Sequence, residues 1–103
     1  MYIADGKTNG PAFSWPDGKR IAVMVTFDYD AEFLRISRAK SKGTSIGFTD
    51  FSRGQYGPHE GLARCLDMLD TMNIKSTFFV PGAVIETYRD TVEEIHRRGH
   101  ELA

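Results

Sequence analysis

From Ile21 to Phe27 the chain reads Ile-Ala-Val-Met-Val-Thr-Phe, and it then turns abruptly polar at Asp28-Tyr29-Asp30. The run is rich in β-branched residues and too short for a typical helix, so it predicts a strand buried on both faces. A second apolar run, Ile74 to Val80, predicts another strand, closed by Pro81-Gly82. Helical spacing governs two other stretches. Leu62, Cys65, Leu66, Leu69 and Met72 predict an amphipathic helix that stops near Asn73. Ile85, Tyr88, Val92 and Ile95 predict a second, ended by Gly99 as a C-cap glycine after Arg97 and Arg98. Residues 31–60 show neither period. Their Ser37, Ser41, Gly43, Gly47, Ser52, Gly54, Gly57 and Pro58 predict a long irregular loop, and a loop of that length in a compact domain usually carries function. Residues 1–19, rich in Gly, Pro and Asp, predict an irregular lead-in with a turn at Trp15-Pro16-Asp17-Gly18.

Strand, loop, helix, strand, helix is a βαβα order, and it predicts an α/β fold on a parallel sheet. Two doubly buried strands need neighbours and helical cover that two helices do not supply. A third strand begins after Gly99-His100-Glu101. Residues 20–103 are therefore expected to be the first βα units of a larger α/β domain. The alternatives are a small two-layer module or a swapped homo-oligomer.

Composition narrows the partners. With 103 residues, a formal net charge of -1 and a pI near 6.3, nothing favours nucleic acid or an anionic membrane surface. The basic group Arg35, Arg38, Lys40 and Lys42 is expected to be a solvated loop. Cys65 is the one cysteine, so no internal disulfide forms, and its place on an apolar stripe predicts an inert core thiol. The start of the chain, with Asp5, Lys7, Thr8 and Asn9, lacks the apolar segment of a secretion signal, and no stretch approaches the ~20 apolar residues of a membrane span. These features set a cytoplasmic address as the expectation.

The chemistry is expected where the first strand emerges. An unpaired carboxylate removed from water costs several kcal/mol, so Asp28 and Asp30 belong at the carboxyl edge of the sheet, where α/β folds place catalytic groups. Asp-x-Asp there serves one of three ends: a cation ligand paired with a general base, a nucleophile with its acid/base for phosphoryl transfer, or a cap on the following turn.

The surroundings resemble a family. Trp15-Pro16-Asp17-Gly18-Lys19-Arg20-Ile21-Ala22-Val23 and Thr26-Phe27-Asp28-Tyr29-Asp30-Ala31-Glu32 look like the opening of the polysaccharide deacetylase (NodB-homology) family. The likeness is to the branch with peptidoglycan deacetylase-like and allantoinase- or cyclic-imide-hydrolase-like members. Tyr56-Gly57-Pro58-His59-Glu60-Gly61, Lys75 to Gly82 and Arg98 to Ala103 fit the same branch in order. The resemblance implies the N-terminal part of a distorted (β/α) barrel, and a metal-dependent hydrolase of non-peptide carbon–nitrogen bonds. Zinc is the implied metal, and a polysaccharide or peptidoglycan N-acetyl group the implied substrate. Asp28 matches the family's catalytic base and Asp30 its metal-binding aspartate. Two further ligands come, in the family, from a His-x3-His motif after the Gly-His-Glu segment, beyond Ala103. His100 matches a histidine that is not a metal ligand. Tyr29 between the carboxylates departs from the wider family's Asp-Asp pair but is normal in this branch. The 103 residues alone are expected to be inactive.

Arg53, Tyr56 and His59 are candidate substrate contacts, because such loops cross the active-site face of a barrel. Against that, Arg53 would pair with an acid, Tyr56 would pack on the helix, and His59 would cap its start. His96, near a helix C-terminus, is expected to act on the helix dipole only. Three rivals remain: a cyclic-amide hydrolase of the same family, a carbohydrate-binding relic without a full metal site, and a haloacid-dehalogenase-like phosphatase. The last shares Asp-x-Asp, but Ala31-Glu32 follows here in place of that family's usual Gly and Thr or Val.

Overall fold

A computed structural model of the chain describes residues 14–103. The polar start, Asp5 to Asn9, lies outside the described residues, as does most of the expected lead-in over 1–19. The expected turn is present: Pro16–Gly18 form one 3-10 turn with Asp17 and Gly18 at positive φ.

Three strands, β1 (Thr26–Asp28), β2 (Thr77–Phe79) and β3 (Glu101–Leu102), pair in parallel in the order β1-β2-β3. The α/β class and the third strand stand as expected. Five helices join them: α1 (Phe33–Ser41), α2 (Phe48–Tyr56), α3 (Leu62–Thr71), α4 (Gly82–Thr87) and α5 (Arg89–Arg97). Among the described residues no helix is long and apolar enough to cross a membrane.

The first strand is not buried on both faces. Ile21, Val23 and Met24 are 74%, 78% and 85% exposed, and only Thr26–Asp28 pair as strand. The reason is topological: among the described residues β1 pairs with β2 alone, and side chains are covered on one face of the sheet. Alternation decides which side chains are covered. Phe27 and Phe78 are register partners on the helix-covered face and stack at 4.9 Å and 15°. Thr26, Asp28, Thr77, Phe79 and Glu101 point to the open face, where the Thr77 hydroxyl donates to Glu101 at 2.6 Å. The second strand is likewise shorter than Ile74 to Val80 and half covered, with Phe78 buried and Phe79 47% exposed.

Residues 31–60 are not an irregular loop. They hold α1 and α2, and a π-helical turn at Gly57–Gly61 runs α2 into α3. Pro58 has no N–H to give a helical ladder, and the wider π turn falls where that donor is missing. The basic cluster consequently rides on α1 and its C-cap, with Arg35 paired to Asp50 of α2 at 3.3 Å.

The core gathers Leu62, Leu66 and Leu69 from α3, Phe78, Val84 of α4, and Val92 and Ile95 of α5. The predicted last helix is two, broken at Tyr88 (φ -122, ψ 44). Its end is as expected: Gly99 sits at φ 79, and the His100 amide donates to the Ile95 carbonyl in a Schellman closure. Asn73, at φ 51, ends α3 the same way, with Ile74 donating to Leu69. Arg98 then ties α5 to α3, reaching Asp67 at 2.7 Å, Asp70 at 3.0 Å and Glu94 at 2.7 Å. Glu94, bound by Arg97 and then Arg98, has its carboxyl lowered to about 2.

Candidate active site

Both aspartates lie where β1 leaves the sheet. The Tyr29 amide donates to the Phe79 carbonyl at 2.9 Å, carrying the pairing one residue past Asp28. Asp28 is exposed on the open face, level with Phe79. Tyr29 turns back into the core and is 6% exposed, and burial pushes its phenol pKa up. Asp30 follows, half-buried, and its carbonyl receives the Phe33 amide at 3.1 Å. Ala31 takes the left-handed conformation, φ 50, which an L-residue with a Cβ adopts at a cost. Glu32, at the N-cap of α1, is buried at 4% exposure, and the Tyr88 hydroxyl donates to its two oxygens at 2.8 and 3.0 Å. Burial first, and Glu32 second, raise the Tyr88 phenol pKa.

Each sequence-predicted contact residue has a definite place. Arg53 and Tyr56 are exposed on α2, and His59 is exposed inside the π turn, so it does not precede a helix. Arg53 has no ion pair among the described residues. The Tyr56 ring lies over Gly61, and His59 meets the Tyr88 ring edge-on at 6.0 Å. The three approach the aspartates only through intermediaries: Gly54 packs on Glu32, Gly57 faces the Tyr29 ring, and His59 reaches Tyr88. None hydrogen-bonds Asp28 or Asp30. Cys65 is half-buried beside Asp28, in a cavity of about 120 Å³ with Phe27, Tyr29, Gly57, Leu62 and Phe78. That volume is well below the roughly 300 Å³ at which ligand pockets begin.

Two carboxylates at one strand end fit part of the oxygen-donor set of a divalent cation. Among the described residues no third His, Cys, Asp or Glu joins them in a metal-holding group. Sequence reasoning passed over Glu32, Tyr88 and Thr91, the residues that brace this turn. In the sequence Glu32 falls in the stretch read as an irregular loop, and Tyr88 is one position of an apolar stripe.

A parallel α/β sheet with paired carboxylates at its carboxyl edge places the chain among folds that carry their ligand-binding groups at that edge. Comparison with known proteins makes the class specific. The family model for polysaccharide deacetylase matches residues 16–103, and the chain belongs to that family. The peptidoglycan deacetylase-like protein FGM2 of Gibberella zeae is 29% identical over 87 residues, which is 82% of this chain and 25% of that protein. A crystal structure from Mycobacterium smegmatis, of a protein provisionally assigned as a polysaccharide deacetylase, superposes with a TM-score of 0.74 at 40% identity. It is matched over 91% of this chain and 33% of its own. The chain thus spans about a quarter to a third of the relatives it matches.

Proposed function

We propose that this chain supplies the base and one metal ligand of a deacetylase-type hydrolase that removes the acetyl group from an N-acetylated amino sugar of a glycan, of the peptidoglycan kind. The observation that carries it is the division of labour at the end of β1. Asp28 is exposed on the open sheet face, free to meet water and substrate, whereas Asp30 is half-buried in a braced turn, as a fixed ligand requires. Family membership and the name of the Gibberella zeae relative support the substrate class.

When bound, a divalent cation, zinc in this proposal, polarises an amide carbonyl and makes water acidic enough to attack near neutral pH. Asp30 would hold it, with Asp28 beside it as the base. Asp28 accepts the proton of the attacking water at its exposed carboxylate. Phe79, level with Asp28 and half exposed, gives the open face an apolar wall against which a sugar ring can lie. Arg53, Tyr56 and His59 are assigned to substrate contact at the rim.

The test is an Asp28→Asn and Asp30→Asn pair in the protein that carries this chain. Asp28→Asn is expected to lose turnover on an N-acetylated glycan oligomer while keeping zinc affinity; Asp30→Asn is expected to lose both. If Asp28→Asn kept a tenth or more of the turnover, which is at most about 1.4 kcal/mol of barrier, the base assignment would be wrong.

A further inference from the structure

Asp30 is flanked by two buried side chains, and both are tied to one short segment on the far side of the chain. Thr91 Oγ1 donates its single proton to the Tyr88 carbonyl at 2.7 Å, so in its 2.8 Å contact with Tyr29 the phenol is the donor. The Tyr88 phenol in turn donates to Glu32. The backbone from Tyr29 through Asp30 and Ala31 to Glu32 closes the ring. The Tyr88 carbonyl also accepts the Thr91 and Val92 amides, at 3.0 and 3.2 Å, which fixes the break between α4 and α5 from which both tethers start. Inside this ring sits Ala31 at φ 50, a conformation that persists only where its surroundings over-determine it.

Stability alone does not account for such a design. Glu32 has no ion-pair partner among the described residues, and a buried carboxylate held by one phenol is poorer filling than an apolar side chain of the same volume. What a directional hydrogen bond adds is geometry.

We propose that Tyr88 and Thr91 are positioning residues: through Glu32 and Tyr29 they clamp the Asp30 turn from both sides and hold its carboxylate in the orientation a cation needs. This rests on the assignment of Asp30 as a ligand. Groups that orient a ligand through a hydrogen bond are typically worth about 10–100-fold in metal affinity.

The experiment is zinc titration of the protein that carries this chain, in competition with a chromogenic chelator, alongside thermal unfolding of the metal-free protein. Thr91→Val keeps the shape and removes the hydroxyl; it is expected to weaken zinc binding about tenfold, and Thr91→Ser to restore it. Tyr88→Phe is expected to weaken binding by a similar factor. Should Thr91→Val and Tyr88→Phe both stay within about twofold of wild type while Asp30→Asn loses zinc, the clamp is only structural and the proposal is overturned. A loss of melting temperature without loss of affinity overturns it equally. An Asp30→Asn variant that binds zinc like wild type sinks the ligand assignment itself, a separate failure.

Discussion

Gly54→Ala sets two effects of opposite sign against each other. Gly54 lies inside α2, where replacing glycine by alanine favours the helix by about 1 kcal/mol. A Cβ at this position, however, would fall on Glu32 Cα and stand 2.7 Å from Glu32 Cβ and 2.9 Å from Glu32 N. Carbon atoms rest at roughly 3.5–4.0 Å, so α2 and the start of α1 must part by more than about 1 Å. Two of the three atoms are backbone and cannot rotate away. Overpacking of this kind typically costs about 1–3 kcal/mol, and this contact belongs at the upper end. The net expectation is a loss of about 2 kcal/mol, or roughly 1 M in urea midpoint for an m value near 2 kcal/mol/M. Urea unfolding followed by far-ultraviolet circular dichroism measures it, with Gly82→Ala as the control, since nothing stands within 4 Å of a Cβ there. The displaced Glu32 would also move off its 2.8 Å bond from Tyr88, so site function should fall with stability. A Gly54→Ala protein as stable as wild type would refute the close approach.

The remaining predictions concern one strained residue and one buried histidine. Ala31→Gly releases a left-handed alanine worth about 1–2 kcal/mol and loses about 0.4–1 kcal/mol to the freer unfolded chain, so it should be neutral to stabilising in urea unfolding. Ala31→Val should destabilise by more than about 1 kcal/mol, and the opposite order would show that the turn is unstrained. His100 is 3% exposed, its Nδ1 accepts the Ser76 amide at 3.2 Å, and burial, helped by Lys75, pushes its pKa down. The unfolded chain therefore takes up the proton first: stability is full above about pH 6.5 and declines as pH falls below it, at no more than about 1.4 kcal/mol per pH unit. His100→Asn keeps an acceptor for Ser76 but cannot titrate, and its urea midpoint should lose that slope between about pH 7 and 5. An unchanged slope would move the effect to other groups.

Periodicity showed α3, α5 and the strand positions because those elements bury continuous stripes: Leu62, Leu66 and Leu69 on one, Val92 and Ile95 on the other. It missed α1 and α2 because they bury almost nothing by side chain. Among α1 residues none is fully buried, and in α2 the buried residue is Gly54, whose burial is backbone against backbone. A glycine reads as a breaker in sequence, but here it is the contact. One signal was present. Lys40, Lys42 and Gly43 end α1 as Arg97, Arg98 and Gly99 end α5, with Gly43 at φ 67 and the Thr44 amide donating to Ala39. The basic-then-glycine ending is the same Schellman pattern, and it goes unnoticed without an apolar stripe before it. The one-sided pairing of β1 had no local signal at all, since Ile21 to Met24 carry the composition of a covered strand whichever neighbours are beside them.

Several departures from local rules fall together. A charged residue buried without a cation (Glu32), an alanine at positive φ (Ala31), a glycine buried mid-helix (Gly54), a proline inside a helical run (Pro58) and a helix broken at Tyr88 all fall on the segments packed around Asp30. Local consistency is what stabilises a fold, and natural chains give it up chiefly at sites that need a particular geometry. Two carboxylates at a strand end are common and by themselves say little. Two carboxylates that lead into a turn that is strained at Ala31, closely packed by the bare backbone of Gly54 and tethered from both sides are a site that has been held in place. The same logic ranks the candidates in this chain: the tethered Asp30 turn comes first, the exposed Asp28 that it carries second, and the rim residues Arg53, Tyr56 and His59, which no such device constrains, last.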